Sequence, residues 1–259
     1  MSLPCVTDPA LAGISHGFFT RLGGVSTGHY ASLNVSLSGG DAREAVLENR
    51  ARVAQALGAA PDRLIGLTQV HSPDVVTVSA AWQPGEGPRA DAMVTRLPGL
   101  ALGVITADCA PVLFADPASG VVGAAHAGWR GAVAGVLEAT VDAMAALGAE
   151  RAGIIAVIGP CIRQASYEVG ADLRDAVVLR EPGDARFFTP GRPGQLNLHW
   201  QFDLAGYCAA RLTTAGIGQV STTEGDTAAE PDRFFSHRRR TLAGGGPIGH
   251  QISGIRCDA

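Results

Sequence analysis

The chain has 259 residues, of which 46% are hydrophobic and 17% charged, an ordinary balance for a globular protein with a sizeable core. A net charge of -4 argues against nucleic acid or an anionic membrane surface as a partner. All 20 basic residues are arginines, which excludes Schiff-base chemistry on lysine.

We expect a cytoplasmic protein without a membrane span. Residues 1–15 lack the basic and apolar regions of a signal peptide, and no stretch approaches the ~18 apolar residues that a spanning helix needs. The five cysteines are odd in number and widely scattered, which is typical of reduced thiols rather than a disulfide framework.

The predicted elements alternate irregularly along the chain. A first helix is predicted from an Asp41 cap to Gly58. Apolar runs predict strands at residues 64–70, 75–80, 100–106, 112–115, 121–125 and 154–158. Further helices are predicted at residues 131–147, 171–179 and 203–215, with loops at 84–88, 116–120 and 182–194. This order favours an α+β fold of mixed β-sheets flanked by helices, in a single compact domain spanning residues 1–259.

Three segments carry residues suited to chemistry. His71 ends a predicted strand, Cys109 follows Asp108 between two strands, and His126 lies where a strand leads into a helix. Two imidazoles and a thiolate suit zinc, with one coordination position left open for catalysis. The pattern also fits two hydrogen-bonded core histidines and a small buried cysteine, because the spacings match no short zinc signature.

A family resemblance favours the metal. The chain resembles the laccase-domain (YfiH-type) family of purine nucleoside phosphorylases from about residue 17 to residue 239, most specifically at Asp108-Cys109 and in residues 126–131. Further matching segments are residues 20–26, 32–34, 48–50, 90–92, 158–160, 167–170 and 234–236. The resemblance implies one zinc per chain, bound by His71, Cys109 and His126. It also implies phosphorolysis of adenosine, inosine and methylthioadenosine, and deamination of adenosine.

Such an enzyme needs groups that bind phosphate and substrate, and arginine supplies paired donors for phosphate. The candidates are Arg21, Ser26, Asn34, Arg50, Arg130, Ser236 and Arg238. Asp108 and Cys109 are the candidate catalytic residues. Asp108 is interpreted either as a group for proton transfer or substrate binding, or as one that orients a metal ligand. Residues 236–240 are interpreted as a solvated charge run or as an anchored strand end.

The chain departs from the family pattern near its C-terminus. His237 stands where the family commonly has Tyr, and His250 where it has Arg. Thr222-Thr223 replaces a Cys-Thr pair. These differences leave the metal ligands unchanged and affect the C-terminal part of substrate binding.

Two other functions use the same residues. A copper-dependent polyphenol oxidase would use copper at this site, with Met93 as a weak axial ligand. The seven histidines, however, include no His-x-His pair for a trinuclear cluster. A cysteine hydrolase acting on peptidoglycan precursors would use Cys109 as nucleophile and His126 as base. All three hypotheses imply small-molecule substrates, and for the phosphorylase these are a purine nucleoside and phosphate. None of the three fixes the oligomeric state.

Overall fold

The computed structural model describes residues 3–191 and 199–258. The strands are β1 (Cys5–Val6), β2 (His16–Phe19), β3 (Leu64–Ile65), β4 (Val75–Val78), β5 (Ala92–Thr95), β6 (Ala101–Thr106), β7 (Ala110–Asp116), β8 (Val121–Ala127), β9 (Ile155–Ile158), β10 (Glu168–Val169), β11 (Phe188–Pro190), β12 (Trp200–Phe202), β13 (Gln219–Thr222) and β14 (Gln251–Arg256). The helices are α1 (Arg43–Ala56), α2 (Trp129–Ala134), α3 (Val136–Ala146), α4 (Ala171–Arg180), α5 (Leu204–Thr214) and α6 (His237–Leu242).

Two large mixed sheets form the centre of the molecule. One has five strands in the order β1-β2-β14-β6-β3, and the other has six in the order β13-β9-β7-β8-β5-β4. The long β7–β8 hairpin lies in the middle of the six-stranded sheet, while the edge pairs β4–β5 and β13–β9 are parallel. A small antiparallel sheet, β10-β12-β11, completes the set.

Three apolar clusters separate four layers. Leu102 and Leu113 belong to the cluster between the two large sheets. Val53 of α1 packs with Ile252 on the outer face of the five-stranded sheet. The largest cluster, which contains Phe114, lies between the six-stranded sheet and helices α3 and α5. The order is therefore helix, sheet, sheet, helix, and the predicted α+β class with mixed sheets is confirmed.

The predicted strands are largely present, with one clear correction. The strand predicted over residues 64–70 ends at Ile65. Its continuation pairs through a side chain instead: Gln69 Nε2 donates to Ile105 O, and Ile105 N donates to Gln69 Oε1, both at 2.8 Å. A side-chain amide thus takes the place of the next rung of the backbone ladder and frees the chain to turn towards His71.

The helix predictions need two corrections. The single helix predicted over residues 131–147 is two, α2 and α3, because Gly135 adopts φ +104° between them. Asp41 does not cap α1 through its side chain, and the N-cap is Ala42. Asp41 instead accepts hydrogen bonds from Ser26 and Asn34.

Loop predictions are confirmed at residues 84–88 and 116–120. The loop predicted over residues 182–194 is wrong in its first part, where a 3-10 turn (Pro182–Phe187) leads into β11. Residues 192–194 of that prediction lie outside the described residues. The strand end considered for residues 236–240 is wrong as well, because these residues begin α6.

Within the described ranges, no helix is both long and apolar enough to cross a membrane.

Candidate metal centre

The fold brings His71, Cys109 and His126 together at one end of the six-stranded sheet. His126 lies near the end of β8 opposite Pro111, so Cys109, just before β7, lies beside it. His71 lies on the neighbouring segment, two residues after Gln69, whose side chain pairs with the backbone of Ile105. One donor atom from each of the three residues lies within 4.8 Å of the others, and Cys109 Sγ is 3.8 Å from His71 Nε2.

This group fits a metal ion. Tetrahedral zinc, with nitrogen at about 2.0 Å and sulfur at about 2.3 Å, separates the sulfur from each nitrogen by about 3.5 Å. The 3.8 Å between Cys109 and His71 is close to that value. His126 is buried, Cys109 is partly exposed and His71 is exposed. The three donors therefore leave one side of the site open to the solvent-filled cavity beside it.

Asp91 organises two of the three ligands, and sequence reasoning did not single it out as a site residue. Its fully buried carboxylate accepts a 2.8 Å hydrogen bond from His126 Nδ1, which leaves Nε2 of that ring for a metal. The same carboxylate accepts from the backbone N–H groups of Val70, His71 and Ser72 at 3.1, 2.9 and 2.7 Å. The Asp91 carboxylate thus fixes both the orientation of the His126 ring and the turn that carries His71.

Charge and hydrogen bonding tune these groups in the metal-free protein. Burial raises the pKa of Asp91, but the hydrogen bonds from His126 and Ser72 outweigh it and bring the pKa down to about 2. Burial likewise raises the pKa of Cys109, and the charge and hydrogen bond of His126 overcome it to give about 6. Burial lowers the pKa of His126, whereas Cys109 and Asp91 raise it to about 9. The metal-free site therefore favours a thiolate next to a charged imidazole.

Gly128 is the residue that lets the ligands approach the start of α2. A Cβ at this position would lie 2.7 Å from His71 Cδ2 and 3.0 Å from Cys109 Sγ. Since real Cβ atoms do not tolerate such contacts, any side chain here would push two ligands aside.

Asp108 is held by its surroundings on both carboxylate oxygens. Oδ1 accepts from Thr227 Oγ1 at 2.7 Å, and Oδ2 accepts from Ser236 Oγ at 3.0 Å and from Arg238 N at 2.6 Å. Its backbone lies in the left-handed region at φ +100°. These contacts favour the interpretation in which Asp108 fixes the chain around Cys109 and the start of α6.

A cavity of about 960 Å³ opens from the metal ligands. Trp129 and Tyr167 contribute aromatic surface to its wall near the ligands. The arginines that line it are Arg43, Arg50, Arg130 and Arg238, whereas Asp108 is the only acidic residue on its described wall. With four arginines against one aspartate, the described wall of the cavity has an excess of positive charge in a protein of net charge -4.

Three of the residues predicted to bind substrate or phosphate line this cavity. Arg130 is exposed and stacks over Trp129. Arg238 lies over Tyr167 and donates to Glu168 O at 2.6 Å. Arg50 is buried, and burial lowers the pKa of its guanidinium to about 10, so it stays charged at neutral pH.

The other four predicted residues do not line the cavity, and their side chains make hydrogen bonds within the protein. Ser26 and Asn34 belong to a buried network with Asp41. Arg21 donates to the carbonyl oxygens of residues 31 and 231. Ser236 caps α6 by accepting from the backbone N–H of residue 239.

Of the residues that depart from the family pattern, two reach the cavity, whereas Thr222 and Thr223 do not line it. His237 and His250 both line it, and Nδ1 of His250 is buried without a hydrogen-bond partner among the described residues. Met93, considered as a copper ligand, lies instead in the core between the two sheets.

Comparison with known proteins gives consistent matches over almost the whole chain. The family model described as multi-copper polyphenol oxidoreductase laccase matches residues 15–258. The chain is 45% identical over 239 residues to a purine nucleoside phosphorylase of Deinococcus radiodurans, covering 92% of this chain and 88% of the relative. It is 37% identical over 237 residues to purine nucleoside phosphorylase YfiH of Escherichia coli, covering 91% and 93%.

Solved structures match equally well. The crystal structure of Bacillus licheniformis YfiH superposes with a TM-score of 0.87 at 30% identity, covering 98% of this chain and 96% of that one. A Neisseria meningitidis protein superposes with a TM-score of 0.86 at 37% identity, covering 100% of both chains.

Proposed function

The chain belongs to the laccase-type multi-copper polyphenol oxidoreductase family, whose relatives include proteins named purine nucleoside phosphorylases, and from this we propose that it is a zinc-dependent purine nucleoside phosphorylase. Its substrates are then small molecules, a nucleoside such as adenosine, inosine or methylthioadenosine together with phosphate. Deamination of adenosine is proposed as a second activity of the same site.

One observation carries the proposal: three metal-binding donors open onto a cavity that is rich in arginine. A closed structural zinc site uses four protein ligands, whereas a catalytic site keeps a position for water or substrate. At about 960 Å³, the cavity is at the upper end of the range usual for small-molecule sites. Fixed guanidinium groups in its wall suit a reaction in which phosphate must be bound and oriented.

His71, Cys109 and His126 would hold the zinc, which would supply Lewis-acid chemistry for a substrate oxygen or for water. The chain's own residues then do the rest. Asp91 holds the His126 proton on Nδ1, which leaves the lone pair of Nε2 available to bind the metal. Asp108, occupied on both oxygens, positions the chain that carries Cys109 rather than transferring a proton.

Aromatic and cationic groups near the ligands are suited to the substrate. Trp129 and Tyr167 offer apolar faces for a purine base. Arg130 and Arg238 lie against these two rings, so cationic groups flank the same region of the wall. We propose that they stabilise negative charge on phosphate or on the departing base.

Product analysis with adenosine, with and without phosphate, tests the proposal. Phosphorolysis gives free adenine and ribose 1-phosphate only when phosphate is present, and deamination gives inosine in either case. We expect both activities to fall with zinc removal and in His71→Ala, while His29→Ala, an exposed histidine away from the cavity, keeps them. If neither free base, ribose phosphate nor inosine forms, the purine assignment is wrong.

A specific observation favours one alternative. Cys109, His126 and Asp91 form an arrangement in which a carboxylate orients an imidazole beside a thiol of lowered pKa, as in cysteine hydrolases. The two functions exclude each other at one moment, because a zinc-bound thiolate is a poor free nucleophile. Elemental analysis of the isolated protein separates them: about one zinc per chain supports the phosphorylase. Little metal together with rapid alkylation of Cys109 supports the hydrolase, and a stoichiometric copper content supports the oxidase.

A further inference from the structure

Arg50 is a buried cation whose donors are mostly unused. Its side chain is 7% exposed, and the single hydrogen bond found for it in the described part of the chain runs from Nη2 to Leu64 O at 3.2 Å. A guanidinium has five N–H donors. No carboxylate of the described residues lies within ion-pair distance of it, and its buried Nε has no partner. Arg50 lines the cavity, so the part of its side chain that stays accessible is within reach of a ligand there.

Hydrogen bonds through Asn34 fix the segment that lies beside α1. Asn34 Oδ1 accepts from the backbone N–H groups of Ser36 and His250 at 3.2 and 2.9 Å, which fixes these two residues side by side. The Asn34 carbonyl accepts from Asn49 Nδ2 at 2.8 Å, which ties the same segment to α1 one residue before Arg50. Ser36, which also lines the cavity, therefore lies in the part of the wall that is tied to α1 next to Arg50.

The rim of this region adds charge and hydroxyl groups. Arg43, the first residue of α1, lines the cavity, is exposed and has no ion pair among the described residues. Ser36 and Ser38 also line it, with their hydroxyl oxygens 3.2 Å apart. Asp108, the one acid on the described wall, is occupied by its own hydrogen bonds. A buried charge without a counter-ion is costly, so this arrangement is suited to an anion supplied by the ligand.

We propose that Arg50 and Arg43 form a phosphate-binding subsite at the α1 end of the cavity, separate from the candidate metal ligands. The inference rests on the proposed function and makes it more specific, because it assigns the phosphate to this end of the cavity. Ser36 and Ser38 supply hydroxyl donors to the same group. The phosphate is either the free inorganic ion or the 5′-phosphate of a nucleotide.

Calorimetric titration of the zinc-loaded full chain tests the subsite with inorganic phosphate, adenosine 5′-monophosphate and adenosine. Arg50→Gln should weaken the binding of inorganic phosphate, of the monophosphate, or of both by about tenfold or more, since it removes charge-assisted hydrogen bonds. Arg43→Gln should weaken the same ligand by several-fold, about the effect of one exposed cation. Adenosine affinity should not change.

Arg52→Gln is the matched control, because Arg52 lies on the same helix, pairs with Glu48 and does not line the cavity. Loss of inorganic phosphate binding alone assigns the subsite to the free ion, and loss confined to the monophosphate assigns it to a nucleotide. If Arg50→Gln fails to fold by circular dichroism, Arg50→Lys and Arg43→Gln decide the matter. Unchanged affinity for both phosphate ligands in the folded variants overturns the inference.

The two proposals fail separately. Phosphate binding that depends on Arg50, without phosphorolysis, would refute the proposed function and keep the subsite. Phosphorolysis with the same KM for phosphate in wild type, Arg50→Gln and Arg43→Gln would refute the subsite and keep the function.

Discussion

Replacement of Asp91 by Asn removes one charge from a carboxylate that holds both His126, a candidate metal ligand, and the turn that carries His71. The buried side chain accepts hydrogen bonds from His126 Nδ1 and from three consecutive backbone N–H groups. An asparagine has one acceptor oxygen in place of two, and its NH2 group would face donors. The substitution keeps size and shape and so tests the charge and acceptor pattern alone.

The expected magnitude follows from the lowered pKa. A fall from 3.8 to about 2 is worth about 2.5 kcal/mol of stability at neutral pH. Because the folded-state pKa is below the unfolded one, this contribution is present above about pH 4 and is lost as the pH falls through about 2. In Asp91→Asn, unpaired donors bring the total loss at pH 7 to about 2–4 kcal/mol. Zinc affinity should fall by about 10–100-fold, since His126 loses its orienting partner.

Two assays measure these losses. Thermal unfolding of the metal-free protein gives the stability difference, expected to lower Tm by about 5–10 °C for a chain of this size. Competition with a chromophoric chelator gives the zinc affinity. Asp74→Asn is the control, because Asp74 is exposed in the same turn and its carboxylate has no hydrogen bond within the described ranges. An Asp91→Asn protein with wild-type Tm and zinc affinity would refute the reasoning.

Two further predictions concern the ligands themselves. Gly128→Ala should lower zinc affinity by about tenfold or more while the protein stays folded, because the new methyl group displaces His71 and Cys109. Gly183→Ala is the control: its new methyl group makes only an ordinary 3.6 Å contact, so this variant should bind zinc normally in the same competition assay. In the metal-free protein, the rate of Cys109 alkylation should be near its maximum at pH 7 and fall about tenfold per pH unit below its pKa of about 6, because protonation removes the thiolate. Peptide mass spectrometry should show that zinc protects Cys109. It should also show that Cys5 reacts more slowly at pH 7, because burial raises the pKa of its thiol. Equal rates for the two thiols would contradict this prediction.

The sequence was most informative where local pattern and burial coincide. The loop predicted over residues 116–120 joins β7 to β8, and this hairpin brings Cys109 and His126 to one sheet end. The group of His71, Cys109 and His126 was reached from the residues and a family resemblance, and the geometry supports it.

What the sequence did not indicate depends on contacts between distant segments. Asp91 has no local signal, since only the pairing of β5 with β8 brings it under His126. Ser26 and Asn34 lie in segments that match the family, and the sequence alone did not indicate that both donate hydrogen bonds to Asp41, away from the cavity wall. Arg43 was not singled out, because an arginine at a helix start looks like any exposed residue.

His71 lies in the left-handed backbone region, with φ +62°, so the residue that gives the highest thermal stability here is not the one that binds a metal. In this region a residue with a side chain lowers the stability of the fold by about 1–2 kcal/mol relative to glycine. His71→Gly would keep the N–H that Asp91 accepts from, so the turn itself would survive. A library selected for thermal tolerance in the absence of metal is therefore expected to accept glycine at this position and lose the imidazole. Selection in the presence of zinc should retain the histidine, so the two selections would diverge at this single residue.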